Sequence, residues 1–363
     1  MLEALQARIK DAAASGIKLN IVGHGSKAFY GGEPAVGKTG EPLAMGELTG
    51  ITSYEPSELV VTAKAGTPIA ELEAALAEKG QHLPFEPPRF KGRGTIGGMV
   101  ASGLSGPARA SVGAVRDHVL GVTVVNGQGE AMRFGGTVMK NVAGYDVSRV
   151  MAGSMGVLGV IVEVSLKVLP LPYAEATLRF ELGQAQALLQ LNRWGSQPLP
   201  INACAWWDGA LVLRLAGARA AVQSATLTLG GELIPDALAR PFWTGLRDHA
   251  DEFFLGAERA VQGGAALWRL SLPQTAPMLS NLHGEQLIEW GGAQRWVTTP
   301  MAAAQVREIA AQVGGHATLF RALDKSAGAF APLTAPLARI HRELKKSFDP
   351  HGVFNPGRLY AEF

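Results

Sequence analysis

Apolar positions recur along this chain with two periods, and the switches between them mark out its elements. Residues 2–14 place Leu2, Leu5 and Ile9 on one helical face, and Gly16 stands just past the end. "IKLNIV" alternates as a strand does and runs into Gly23. "ELVVTAKAG" predicts another strand, followed by Thr67-Pro68 as cap and first-turn pair for the helix "IAELEAALAEKG", which Gly80 stops. "HVLGVTVVNGQGEAMRF" predicts a hairpin around Asn126-Gly127, and "GVLGVIVEVSLKVLP" a long strand ended by Pro170.

After Pro172 the pattern becomes repetitive. "EATLRFEL" (strand), "GQAQALLQLNRW" (helix), "INACAWW" and "ALVLRLAG" (a hairpin turning at Asp208-Gly209) and "ARAAVQSATLTLGG" (helix) follow one another. A short strand at 232–234 completes β-α-β-β-α-β, the ferredoxin-like order. The same order recurs as "ALWRLSLP", a helix expected near 276–282, "QLIEW" and "AQRWVTT" around Gly291-Gly292, "MAAAQVREIAAQVGG", then "HATLFRA". Trp206 and Trp207 flank one hairpin turn and Trp290 the other. The expected fold class is α+β, with the second part built of two ferredoxin-like units on one continuous sheet.

Length and composition narrow the function classes. A chain of 363 residues has room for two cores. A net charge of +2 gives no electrostatic footprint for nucleic acid or an anionic membrane. No apolar run reaches membrane-spanning length, and the charged N-terminal stretch lacks the apolar core of a signal peptide, so a cytoplasmic location is expected. Cys204 is the only cysteine, which excludes internal disulfides and a cluster held by four cysteines of this chain. In "INACAWW" it is expected to be a packed core residue. The 45 glycines fall heavily before residue 160, where backbone is expected to approach a ligand closely.

Two phosphate-binding patterns overlap near the N-terminus. Gly32, Gly37, Lys38 and Thr39 match the P-loop, and Gly23, Gly25 and Ala28 match the dinucleotide turn. A P-loop needs a helix after its threonine, but Gly40, Pro42, Gly46 and Gly50 deny one, so that segment is expected to be a surface loop. The Gly23 match has a strand before it, yet "FYGGEP" cannot open the helix a Rossmann turn requires. What survives is a strand running into Gly-His-Gly-Ser-Lys, a turn whose amides can wrap an anion.

Four motifs in order make that turn specific: "VGHGSK", "PPRFKGRGTIGGMVASGLSGPAR", "KNVAGYDVSRVMAGSMGVLGVIVEVSLKV" and "FDPHGVFNPGRL". Together they resemble the FAD-binding family of vanillyl-alcohol oxidase and p-cresol methylhydroxylase. "KNVAGYD", "WGGAQRW" and "GGHATLFR" are similar to one branch of it, the smaller FAD-binding subunits of heteromeric glycolate oxidases. The resemblance implies a two-subdomain FAD-binding domain at 1–172, a covering α+β domain at 173–340, and a C-terminal segment, 341–363, returning to the first. It implies pyrophosphate contacts from Gly23, His24, Gly25, Ser26 and Lys27. Thr95, Gly97, Gly98 and Gly103 are implied to face the pyrophosphate and ribityl chain, with Pro88 and Ile96 among the cofactor contacts. Gly156, Gly159, Val160 and Ile161 are implied to run beside the cofactor, and Asn355 to reach the flavin region.

Two departures qualify the implied chemistry. Ser26 stands where some relatives attach FAD through histidine, so the FAD is expected to be non-covalent. Lactate-type relatives carry H-x-G-D-G-N-x-H, which helps bind metal and substrate; the nearest stretch here, "NLHGEQL", has His283 without a partner at ligand spacing, so no metal is expected. Oxidising a 2-hydroxy acid calls for a base, a cation for the carboxylate and the flavin. The candidates are His283, Arg269 in "LWRL" and Arg321 ending "ATLFR", each with a purely structural alternative, as for His316 and His351. The implied partners are a second FAD-containing catalytic subunit and an iron–sulfur subunit, with glycolate as the substrate and membrane association only through the complex. A stand-alone hydroxy-acid dehydrogenase and a non-catalytic flavin-binding or assembly subunit remain open alternatives.

Overall fold

The helix Leu2–Ser15 ends on Gly16 in the left-handed conformation (φ 70°) and lays Ile9 and Ala12 against strand β1, Leu19–Val22. The computed structural model describes residues 1–33, 39–137 and 146–362. β2, Glu41–Ala44, pairs in parallel with β1, with Leu19 opposite Glu41. The expected surface loop after Thr39 is therefore in part a strand: Leu43 is buried and packs in the same core as Leu19. No helix follows Thr39, and none opens in the described stretch 23–33, so neither phosphate pattern has its helix. Residues 34–38 of the P-loop match and 140–145 of "KNVAGYD" lie outside the described residues.

The glycine-rich part continues with β3 (Ile51–Glu55), β4 (Val60–Lys64), β5 (Gln81–His82), β6 (Val119–Val125), β7 (Ala131–Gly135), β8 (Val160–Lys167) and β9 (Leu169–Pro170). β5 and β9 pair only with each other; the remaining five form an antiparallel sheet in the order β3-β4-β8-β6-β7. The helices Ile69–Ala77 and Ile96–Ser102 bury Leu72, Leu76, Met99 and Val100 in one core with Val61, Val164 and Leu166 of this sheet. Thr67 does not cap its helix as expected. Its hydroxyl accepts from the Gly50 amide at 2.9 Å, tying two loops together instead.

The second sheet contains β10 (Ala174–Glu181), β11 (Ile201–Trp207), β12 (Ala210–Gly217), β13 (Glu232–Ile234), β14 (Ala266–Ser271), β15 (Glu285–Glu289), β16 (Gln294–Thr299) and β17 (His316–Arg321). Its order is β13-β10-β12-β11-β15-β16-β14-β17. Each half has the ferredoxin-like strand order, and the antiparallel β11–β15 pair, with Ala205 opposite Glu289, makes the sheet continuous as expected. The β11–β12 hairpin turns at Asp208 and Gly209, both at positive φ (45° and 79°).

The repeat is incomplete in one place. The helix expected near 276–282 does not form, and that stretch is irregular. Arg295, fully buried, donates to the carbonyls of Ala276, Pro277 and Gly292, the first two being backbone acceptors that a helix there would have paired internally. Burial pulls its guanidinium down to about 10. The helices Asp236–Asp248 and Glu252–Gln262, which the repeat does not contain, lie between the halves in sequence. Their Trp243, Phe253 and Phe254 share a core with Tyr30, Phe90 and Leu104, joining the two parts of the molecule.

The C-terminal helix Ala335–Phe348 brings the chain back to β1. Beyond it Leu19 N–H donates to Val353 O (2.8 Å) and Asn355 N–H to Leu19 O (2.9 Å). Among the described residues no helix is long and apolar enough to cross a membrane.

Candidate functional site

β1, the helix Ile96–Ser102, the loop before β8 and the C-terminal segment converge on a cleft of about 270 Å³. Its first wall is the turn after Val22. Ala28 N–H bonds to Gly25 O and Tyr30 N–H to Lys27 O, which curls the turn, while Gly25 sits at φ 68° with nothing within 4 Å of where a Cβ would be. The amides of His24, Gly25, Ser26 and Lys27 donate to no described residue. Successive free amides on a tight turn make an anion-binding concavity.

The second wall is the start of the helix Ile96–Ser102, where the Thr95 hydroxyl accepts from Gly98 N–H at 3.2 Å. A Cβ on Gly23 would come 2.5 Å from that hydroxyl, so glycine is what lets the two walls close on each other. This wall supplies shape and few donors: Gly97 N–H is already bonded to Ala65 O at 2.7 Å, and Gly98 N–H to Thr95. The third wall holds Gly156, Gly159 and Ile161. Here Asn355 acts as a clasp. Its side-chain carbonyl accepts from Ile21 N–H, and its amide donates to Met155 O, each at 2.7 Å.

Twelve expected cofactor residues therefore line one cleft: Gly23 to Lys27, Thr95, Gly97, Gly98, Gly156, Gly159, Ile161 and Asn355. The other four do not. Ile96 and Val160 are fully buried in the apolar cores behind the walls. Gly103 ends its helix at φ 66°, against the Gly153 backbone, and Pro88 lines a different cavity. Side chains outside the expected set also meet the cleft, among them Met45, Ser102, Met155 and Arg358. Arg358 holds the turn from below, donating to Lys27 O at 2.9 Å. Its place in "NPGRL" is the one signal that pointed there.

Lys27 leaves the turn toward the second sheet. Its ammonium lies 5.7 Å from the Phe90 ring centroid, and burial lowers it to about 8 against the raising effect of Asp248. Lys325 reaches across to donate to the carbonyls of Phe29 and Gly31, and burial likewise lowers it to about 8.

Of the three candidates for substrate chemistry His283 stands apart, whereas Arg269 and Arg321 lie on the paired strands β14 and β17, and both add to burial in lowering His249. His283 is exposed and lines neither the cleft nor the second cavity, and His316 and His351 are also exposed. The Arg321 guanidinium lies over the face of Phe29, 3.6 Å from the ring centroid. Arg269 donates to the Tyr30 hydroxyl at 3.1 Å and lines the second cavity. There it meets His249, Glu289 and Gln294, which belong to no recognisable motif. Among the described residues no three His, Cys, Asp or Glu side chains are grouped to hold a metal.

Comparison with known proteins gives this geometry a family. Over 360 residues, 99% of the chain and 97% of the relative, it is 48% identical to glycolate oxidase subunit GlcE of Escherichia coli. The chain belongs to that subunit family. Residues 2–151 match the FAD binding domain family, which makes FAD the cofactor. Two other relatives resemble only the first part of the molecule. Glycolate oxidase subunit GlcD of Bacillus subtilis is 32% identical over 44% of this chain and 34% of its own length. D-lactate dehydrogenase of Anaerostipes hadrus is 35% identical over 41% and 31%. A solved alkyldihydroxyacetonephosphate synthase superposes with a TM-score of 0.66 over 97% of this chain and 74% of its own, at 14% identity, a likeness of fold. The cleft fits FAD on its own evidence, because free amides stand along the turn and glycines keep its walls open.

Proposed function

We propose that this chain is the FAD-binding subunit of a heteromeric glycolate oxidase (dehydrogenase) that converts glycolate to glyoxylate. The observation that carries the reading is the 48% identity, spanning 99% of the chain, to the glycolate oxidase subunit GlcE. Residues 1–172 with 341–363 hold the FAD, and 173–340 cover it. The amides of His24, Gly25, Ser26 and Lys27 take the pyrophosphate, and the walls at Thr95–Gly98 and Gly156–Ile161 flank the ribityl chain. The FAD is non-covalent, since Ser26 offers no nitrogen to attach it. FAD, once bound, supplies the acceptor for the two electrons of the hydroxy acid.

The partners of this chain are a second FAD-containing subunit, of the kind named GlcD in Bacillus subtilis, and an iron–sulfur subunit that takes the electrons onward. The complex is cytoplasmic and meets a membrane only through its other subunits. Purification of this chain alone and with its partner subunits, each with FAD, tests the reading by dye reduction with glycolate. Glycolate-dependent reduction that needs this chain and its partners together supports it. Full turnover by this chain alone would establish a stand-alone dehydrogenase, and full turnover by the partners without it an assembly role.

A further inference from the structure

A further cavity, of about 300 Å³, lies between the helix Asp236–Asp248 and one face of the second sheet. Ala205, Val212 and Leu287 stand on the sheet side, and Ala239 and Phe242 on the helix side. Small side chains make the space, since Ala205, Ala210 and Ala239 each bring only a methyl group to it. It opens to solvent beside Leu238, which is 65% exposed. A water's share of the liquid is about 30 Å³, and an apolar cavity of about 150 Å³ takes up benzene, so a ring-sized molecule has room here.

The polar side chains on this lining are few, and most are already paired. The Thr177 hydroxyl accepts from Trp243 Nε1 at 3.0 Å, and Trp207 Nε1 donates to Glu285 at 2.9 Å. The Arg179 guanidinium pairs with Glu181 and Glu232 at 2.5 and 3.3 Å. Asp251 differs. One carboxylate oxygen caps the helix Glu252–Gln262, accepting from Phe254 N–H at 3.0 Å; the other has no partner among the described residues. Burial, and after it the charge of Glu252, raises Asp251 to about 6 against the bond from Phe254, so at neutral pH the cavity carries a negative charge without a counter-charge. The helix start adds only about half a positive charge, which Asp251 and Glu252 together exceed.

We propose that this cavity binds a small apolar amine, its ring or chain held between the sheet and the helix Asp236–Asp248 and its ammonium on the free oxygen of Asp251. The apolar walls hold water poorly, so displacing that water favours the apolar part of the ligand. Trp207 and Phe242 add aromatic surface, which suits both a ring and a cation. The same uncompensated charge turns away a carboxylate, so the site is separate from the hydroxy-acid chemistry proposed above. It shares no lining residue with the cofactor cleft.

Calorimetric titration of the FAD-loaded chain with three probes of one shape tests the site: 2-phenylethylamine, 2-phenylethanol and 3-phenylpropanoate. The amine should bind one to one, the alcohol about tenfold weaker, and the acid not at all. Asp251→Asn keeps an oxygen for the helix cap and loses the charge, so it should weaken the amine about tenfold and leave the alcohol unchanged. Ala210→Leu should fill the cavity and weaken both. The proposal is overturned if the amine shows no saturable binding up to about 10 mM, or if the alcohol binds as tightly as the amine. It is also overturned if either variant, melting as the parent does, binds the amine unchanged. Should one variant fail to fold, the other locates the site, and the comparison of amine with alcohol needs neither. A chain that takes up no FAD would defeat the cofactor reading alone, and the same titrations would still decide this site.

Discussion

Replacing Lys345 by methionine removes the charge that closes the C-terminal segment onto the cleft. Its ammonium spends all three hydrogens on buried acceptors: Val157 O and Asp349 Oδ2 at 2.7 Å, and Phe354 O at 3.1 Å. Asp349, whose side chain is fully buried, also accepts from Val353 and Phe354 N–H at 2.8 and 2.9 Å. Those two amides set the residues immediately before Asn355, the clasp between β1 and Met155. Methionine keeps the length of the side chain and leaves a buried carboxylate without its counter-charge. Breaking a buried pair in this way costs about 3–5 kcal/mol, a large share of the roughly 5–15 kcal/mol that holds a domain folded. Urea unfolding followed by circular dichroism should show the loss, and FAD affinity should fall with it. The double variant Lys345→Met/Asp349→Leu should recover part of the stability, because no lone charge remains. A single variant within about 1 kcal/mol of the parent would refute the assignment of a structural charge pair here.

Gly156→Ala should cost about 2–3 kcal/mol in unfolding measurements, since φ 76° disfavours a side chain and the new Cβ would lie 2.5 Å from Asn355 Nδ2; an unchanged melt would contradict the clasp. Glu289→Gln should change how stability depends on pH. Burial raises Glu289 from 4.5 to about 7, so its contribution is full below pH 4.5 and is lost as pH rises through 7. The variant should therefore gain on the parent by up to about 3 kcal/mol between pH 4.5 and 8 in urea titrations, and a constant difference would be the contrary result. Cys204 is buried, accepts from Gly291 N–H at 3.0 Å and is pushed up to about 12, so a thiol reagent at pH 8 should label it only after unfolding.

Most of the longer strands and the helices Leu2–Ser15, Ile69–Ala77, Gln184–Gly195, Arg219–Leu229 and Ala303–Gln312 were legible because their apolar periods are local properties, whereas β3, β5, β9 and the helices Asp236–Asp248, Glu252–Gln262 and Ala335–Phe348 were not read. The doubled ferredoxin-like order was readable for the same reason, as were the walls of the cleft, whose glycines recur in short motifs. The helix expected near 276–282 failed because a residue distant in sequence, Arg295, offers that backbone better partners than a helix would. β2 was hidden because a four-residue strand beginning Glu41-Pro42 carries no period and forms only against β1. His249, Glu289 and Gln294 were invisible for a related reason. They come from a helix end, a strand end and the strand after it, and only the fold sets them around Arg269.

FAD binding to a chain with one filled glycine tests the cleft most directly. A Cβ on Gly98 would meet only the Thr95 hydroxyl, at 3.2 Å, so Gly98→Leu should fold while its side chain blocks the cleft. The unaltered chain should bind one FAD, released into the supernatant by acid precipitation, and the variant should melt normally and remain colourless. A Gly98→Leu chain that holds FAD as tightly as the parent, or flavin that stays with the acid precipitate, would contradict non-covalent FAD in this cleft.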